Sequence, residues 1–481
     1  MDGMQKKVTT GLVWTFGERI TAQLVTTIVT IVLARLLDPA NYGVISIVTI
    51  FISFCDVFVS SGFGSAVVQR KDPDEGDFHT AFLISFSLAW LLYALLFFVA
   101  PLISRFYEMS ELTLLIRVMA LRLPIASINS IQQAYVQKEM AFRRFFIATL
   151  FGTVLSGFVG VSLAYYGFGV WALAGQYLTN TTVDTIVLWF VCGWTPRLRF
   201  SKDKAKALFS FGWKVLASNL VSTLENDIRS LLVGKVFGPA DLAFYDQGKK
   251  YPSLLMMNIN ASINKVMLPA FSEYQDDNTR LKSMLRRSIQ IGLFLLMPIM
   301  FGFFAVADSF VRVVLTDKWI AAVPFIRIFC LYFLSRPLET SCQQVILAKG
   351  KSGTVFHIMV IVSCCSIISV LIAVFVLKSV MMIAVGSIIT TLVSILCYMV
   401  STNRMIGYSV KEQFSDLLKP LLMSLLMVIA IGVVGMVTKS TTAKLIAQVI
   451  TGIVVYIAAA AFSKDRTFKY LLQMIGKIIH R

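Results

Sequence analysis

Charge is scarce in this 481-residue sequence: Asp, Glu, Lys and Arg together make up 15% of it. No polar stretch between its apolar runs is long enough to fold as a soluble domain, so composition excludes a water-soluble globular protein. The seven cysteines, Cys55, Cys192, Cys330, Cys342, Cys364, Cys365 and Cys397, stand in or at the edges of apolar segments without metal-ligand spacing. They are expected to be free thiols, and no metal site is expected. Also missing are a Walker A motif, a nucleophile–base arrangement and a Gly-rich phosphate loop. The chain is therefore expected not to be an enzyme or an ATP-driven pump and to need no cofactor. No cleavable signal peptide is read: Lys6 and Lys7 precede an apolar run over residues 11–37, which is too long for a signal core and has no small-residue cleavage site after it.

What is abundant is apolar sequence, 57% of the chain. Runs bounded by charge, Pro and Gly fall near 11–37, 41–68, 80–104, 111–136, 145–167, 169–193, 210–237, 240–270, 288–308, 321–347, 353–377, 380–402, 417–438 and 444–462. Each is long enough to cross a bilayer as a helix, for which roughly 20 residues suffice. The fold class expected is an all-α membrane protein of about fourteen transmembrane helices.

The 44 Lys and Arg outnumber the 26 Asp and Glu. In a soluble chain that excess suggests nucleic acid; among spans it reports topology, and no nucleic-acid partner is expected. Loops on the side of the N-terminus hold 26 of these cations, among them Arg197, Arg199, Lys202, Lys204 and Lys206, whereas the opposite loops hold 7. Both termini are accordingly placed in the cytoplasm of a multi-pass protein.

The sequence repeats itself. Ala34-Arg35-Leu36-Leu37-Asp38-Pro39-Ala40-Asn41 closes the first span and Gly234-Lys235-Val236-Phe237-Gly238-Pro239-Ala240-Asp241 the seventh; Gln132-Gln133 is echoed by Gln343-Gln344. Six spans separate the copies, so the repeat is parallel and the two lobes are expected to enclose a central cavity. The organisation read from this is residues 1–200 as an N-lobe (helices 1–6), 201–412 as a C-lobe (helices 7–12), and 413–481 as an appended helical hairpin with a cytoplasmic tail.

These motifs, with Gly62-Phe63-Gly64-Ser65-Ala66-Val67-Val68-Gln69-Arg70, Pro196-Arg197-Leu198-Arg199-Phe200-Ser201 and Asn226-Asp227, resemble the polysaccharide-exporter branch of the MOP flippase superfamily. The likeness is greatest to Wzx exporters of the colanic-acid and teichuronic-acid type. The resemblance implies a V-shaped two-lobe protein of the bacterial cytoplasmic (inner) membrane that flips an undecaprenyl-pyrophosphate-linked oligosaccharide, a surface polysaccharide or lipopolysaccharide precursor, by alternating access. It leaves open the polysaccharide polymerase machinery as a partner and H+ or Na+ as a coupling ion. A multidrug or cation antiporter of the same superfamily is the alternative; a membrane polysaccharide polymerase or ligase is a more distant one, because every outward loop is short.

An ionisable side chain inside a span costs about 2.5–3.5 kcal/mol on insertion scales, which makes each a functional candidate. For an anionic substrate the cationic and polar candidates are Arg122, Arg336, Arg229, Arg19, Lys265 and Asn258; for ion coupling they are Glu225, Asp227, Asp56 and Asp184. Glu225 and Arg229 share a helix face that Asp227 does not, so either the pair or Asp227 faces a cavity. Arg122 and Arg336 lie on repeat-equivalent helices beside Pro124 and Pro337, where a freed carbonyl favours a wet lumen. Arg336 has Glu339 one turn away. Arg122 has no acid on its own helix, so it pairs across helices with Asp56 or Asp184, or it is left for an anionic ligand. His357 is read as a structural hydrogen-bonder, and the hairpin over 417–462 as a shelter for the polyprenyl tail that the resemblance implies.

Overall fold

The structure, a computed structural model, describes residues 21–60, 63–70, 73–139, 141–438, 440–463 and 466–479. It is built almost wholly of helices, which divide into two compact units, Met1–Ala243 and Phe244–Arg481.

The first unit holds α1 (Thr21–Leu36), α2 (Pro39–Ser60), α3 (Phe63–Gln69), α4 (Glu75–Tyr107), α5 (Glu111–Met119), α6 (Arg122–Lys138), α7 (Phe142–Tyr165), α8 (Val170–Val191), α9 (Lys202–Val236) and the first turn of α10 (Pro239–Glu273). The rest of α10 belongs to the second unit. There it is followed by α11 (Asn278–Phe310), which ends in a π-helical turn, and by α12 (Val323–Phe333), α13 (Arg336–Ala348) and α14 (Ser352–Leu371). After these come α15 (Val380–Ile406), α16 (Val410–Val437), α17 (Thr441–Phe462) and α18 (Arg466–Ile479).

Among the described residues, ten segments are long and apolar enough to cross a membrane, counting α5 with α6 and α12 with α13 as one passage each. Their outward faces carry apolar side chains at helical spacing, as Leu91, Leu95, Phe98 and Leu102 do on α4, all of them exposed. So much bare apolar surface is a liability in water and is at rest in lipid. The inward faces interlock. Leu281, Leu285, Ile289, Leu293 and Met297 make one stripe down α11, against which Leu338, Cys342, Val345 and Ile346 of α13 and Met399 of α15 are buried. In the first unit, Phe78, Ala81 and Phe82 of α4 pack with Ile131 and Val136 of α6 and Leu188 of α8.

The repeated motif has a common structural purpose. Pro39 and Pro239 each occupy the first position of a helix, where the missing N–H goes unmissed and the fixed φ favours the turn. Gly238 reaches φ +95°, which a side chain resists, and Asp38 takes the equivalent place before α2.

The passages of the fourth and tenth runs are each broken, at Ala120–Leu121 and at Leu334–Ser335. Pro124 and Pro337 are the cause: lacking an N–H, they cannot bond the carbonyls of Ala120 and Phe333 four residues back. The Ala120 carbonyl is instead taken by the Leu123 N–H at 2.9 Å in a tighter turn. By contact the chain divides at 243–244, with α9 tied within the first unit. Ser53 of α2 donates to Asp227 at 3.2 Å, Tyr107 of α4 donates to the Leu231 carbonyl at 3.2 Å, and Lys235 pairs with Glu108 at 3.0 Å. The other end of α9 is fastened too. Lys204 pairs with Asp74, holding that carboxyl below the usual carboxylate range, and the Ser201 N–H donates to Thr80 at 3.3 Å.

Gly43 of α2 lies so close to the first turn of α10 that a Cβ there would fall 1.7 Å from the Pro239 carbonyl oxygen. Gly43→Ala should therefore lower the melting temperature and the yield of monodisperse protein, since overpacking costs about 1–3 kcal/mol or more. Gly353→Ala, in open space, should not. Equal melting of the two variants would contradict this packing.

Candidate functional site

Polar residues inside the first unit gather where α6 and α8 face each other. Restarting after the break, α6 presents Arg122, Asn129 and Gln133. α8 presents Thr181, Asp184 and Thr185, spaced to share one face. Arg122 Nε donates to Thr181 Oγ1 at 3.1 Å. Asn129 Nδ2 donates to Asp184 Oδ2 at 2.6 Å and lies 3.3 Å from Thr185 Oγ1; Gln133 Nε2 in turn donates to Asn129 Oδ1 at 2.5 Å. Asn180 extends the patch to Ser156 of α7 at 3.4 Å. Asp184 is thus supplied by an amide, not by the arginine.

Asp56 of α2 lies within the electrostatic reach of Arg122. Its Oδ1 is buried and has no hydrogen-bond partner among the described residues. Among those residues no carboxylate oxygen comes within 4.0 Å of the Arg122 guanidinium. Of the alternatives open at Arg122, a direct pair with Asp184 or with Asp56 is absent from this arrangement. A half-buried guanidinium with one hydroxyl acceptor and a carboxyl at longer range has donors left for further oxygen atoms.

The second unit treats its arginine differently. Arg336 Nη2 donates to Tyr332 Oη at 2.6 Å, and Nη1 lies 3.4 Å from Glu339 Oε2. Glu339 also accepts from Ser335 at 2.7 Å and from Ser394 of α15 at 3.1 Å. Arg336 and Glu339, three residues apart, form an ion pair within α13.

The remaining candidates are scattered or out of view. Asp227 faces Ser53 and serves the α2–α9 contact. Arg229 is half-buried on the same helix. Arg19 lies outside the described residues, as do the side chains of Glu225, Asn258 and Lys265. His357 lies 2.6 Å through Nδ1 from the Gly353 carbonyl, one turn back on α14, a structural contact. Among the described residues no cluster of His, Cys, Asp or Glu fit for a metal ion is found.

An apolar groove of about 370 Å3 runs between α11, α16 and α17, lined by Ile299, Phe303, Val306, Met427, Ile431, Gly452, Ile453 and Ile457 among others. The hairpin that forms its wall is anchored through Asp416 at the start of α16. That carboxylate accepts from Arg286 at 2.7 and 2.8 Å, from Gln290 at 2.8 Å and from Tyr408 at 2.7 Å.

A family profile described as "Polysaccharide biosynthesis protein" matches residues 32–324. The chain belongs to that family. Its relatives include the teichuronic acid biosynthesis protein TuaB of Bacillus subtilis, 28% identical over 307 residues, which are 63% of this chain and 63% of TuaB. They include the succinoglycan biosynthesis transport protein ExoT of Rhizobium meliloti, 24% identical over 315 residues, 66% of this chain and 63% of ExoT. The chain thus spans under two thirds of the length of either. The lipopolysaccharide biosynthesis protein WzxC of Escherichia coli is 22% identical over 417 residues, 86% of this chain and 84% of WzxC. A solved structure of the lipid II flippase MurJ in an inward closed conformation superposes with a TM-score of 0.73 at 16% identity, covering 95% of this chain and 99% of that one. An inward-facing MATE multidrug transporter of the MOP superfamily gives 0.62 at 15% identity, covering 80% of this chain and 96% of that one. The family member described here therefore has the MOP fold.

Sequence inspection confined to ionisable groups passed over Asn129 and Thr181, which hold the patch together. Asn129→Leu should destabilise the protein by about 1–3 kcal/mol, the cost of leaving a buried polar partner unsatisfied. Adding Asp184→Leu should restore part of that loss in a double-mutant cycle read by thermal unfolding. Strictly additive effects would show that the Asn129–Asp184 contact does not couple α6 to α8.

Proposed function

We propose that this protein is a flippase of the bacterial cytoplasmic membrane that moves a polyprenyl-pyrophosphate-linked oligosaccharide outward by alternating access. In this reading all fourteen apolar runs span the bilayer and both termini are cytoplasmic. The observation that carries it is Arg122: a permanently charged fork inside an apolar span, with no carboxylate at contact distance among the described residues. A guanidinium so placed suits phosphate oxygens, which it binds in pairs and at any relevant pH. The names of TuaB, ExoT and WzxC, which speak of teichuronic acid biosynthesis, succinoglycan biosynthesis transport and lipopolysaccharide biosynthesis, support the same class of cargo. For the tail, the open groove between α11 and the α16–α17 hairpin offers a wall of Ile, Val, Met and Phe side chains. A cationic drug as cargo is disfavoured by Arg122 itself; Asp56 and Asp184 remain the proposed sites for a coupling H+ or Na+.

Arg122→Ala should abolish export of the glycan in cells while leaving the protein folded and inserted, and Arg122→Lys should retain part of the activity. Loss of folded protein in Arg122→Ala, with folding and export both restored by Asp56→Ala, would instead make the arginine structural.

The orientation has its own test. A cysteine at Asn41 should react with an impermeant thiol reagent added outside, and one at Ser201 should not. The opposite labelling pattern would overturn the topology.

A further inference from the structure

The first turn of α9 and the segment leading into it are rich in cations. Over residues 197–206 five cations, Arg197, Arg199, Lys202, Lys204 and Lys206, face a single acid, Asp203. Immediately after them, Phe209 and Trp213 are exposed. Aromatic side chains beside lysines mark the level at which a helix passes from headgroups into hydrocarbon. Pairing with Asp74 occupies Lys204 and, with the Ser201–Thr80 bond, fixes this end of α9 against α4. Lys202 and Lys206 are exposed and engage no acid among the described residues.

Beside them lies an apolar groove of about 560 Å3 between α3, α4 and α9, walled by Phe63, Ile84, Ala205, Phe209 and Trp213, with Lys206 at its edge. The groove at α16–α17 is lined by other residues, all in the second unit. We propose that the groove between α3, α4 and α9 binds one molecule of anionic bilayer phospholipid, its acyl chain along Phe63, Ile84, Phe209 and Trp213 and its phosphate at Lys202 and Lys206. The ligand must be amphipathic, because the site pairs an apolar channel with an adjoining cationic rim; a free phosphate leaves the channel empty. The rim selects charge: near a membrane each lysine favours an anionic headgroup. The stem of Lys206 can lie on the apolar wall while its ammonium stays among the headgroups. A lipid seated there braces α9, the helix that carries Asp227 and Arg229. The proposal rests on the orientation given above, which puts this end of α9 at the cytoplasmic leaflet.

The test uses the full chain in nanodiscs of phosphatidylglycerol and phosphatidylcholine in equal amounts, with a photo-crosslinking residue at Phe209 and no polyprenyl lipid present. Phosphatidylglycerol should be captured several-fold in excess, at about fivefold for each lysine that contributes about 1 kcal/mol. Lys202→Ala with Lys206→Ala should bring capture to parity, and Lys206→Arg should keep the preference. Equal capture of both lipids by the unaltered groove overturns the proposal. So does loss of the preference on adding excess inorganic phosphate, which indicates an ion site, or displacement by one equivalent of polyprenyl pyrophosphate, which assigns the groove to cargo. Because capture is read without transport, a protein that fails to flip glycan can still pass, and one that flips glycan can still fail.

Discussion

A charged guanidinium inside an apolar passage must find oxygen, and the facing surfaces of α6 and α8 are arranged around that requirement. Arg122 sits within the apolar passage Glu111–Lys138, where an uncompensated charge costs about 2.5–3.5 kcal/mol on insertion scales. The break at Ala120–Leu121 places it at the start of α6, and Pro124 enforces the break. Thr181 supplies the one hydrogen-bonded oxygen on the facing helix. Asp184, one turn further along α8, accepts from Asn129 and not from Arg122.

Comparing the two units, each on its own terms, separates scaffold from chemistry. Arg117 donates to the Phe97 carbonyl at 3.1 Å and lies over the Phe97 ring at 4.2 Å. In the second unit Arg327 repeats the arrangement with Phe304, at 3.4 and 5.7 Å. The next stretch of each passage differs. Where the first unit sets an amide on α6 against an acid on α8, the second sets the acid Glu339 on α13 against the hydroxyl of Ser394 on α15. With its acid on the same helix, Arg336 is tied down, whereas Arg122 is not. Moving one carboxylate from one helix to its partner turns an ion-paired arginine into an available one.

The sequence made the class of the fold legible because lipid imposes a coarse rule: apolar runs of spanning length become helices. It also made legible the repeated turns, since Pro39, Pro239 and Gly238 act through backbone geometry that needs no tertiary context. Where it fell short, the missing information was tertiary. α8, with Thr179, Asn180, Thr181, Thr182 and Asp184 in its middle turns, reads as a plain span with one stray acid until α6 is laid against it. The allegiance of α9 rests on Ser53, Tyr107 and Glu108, residues over 120 positions away, which no local pattern reveals. Nor does spacing along one helix disclose that Asn129, and not Arg122, donates to Asp184; that is a fact about three side chains on two helices.

The central claim, that this protein moves a pyrophosphate-linked glycan across the bilayer, is tested most directly by reconstitution. Purified protein in liposomes should accelerate the transbilayer movement of a fluorescent polyprenyl-pyrophosphate oligosaccharide, read as the fraction accessible to a membrane-impermeant quencher, and the Arg122→Ala protein should not. Movement no faster than in protein-free liposomes, or the same acceleration by both proteins, would contradict the account.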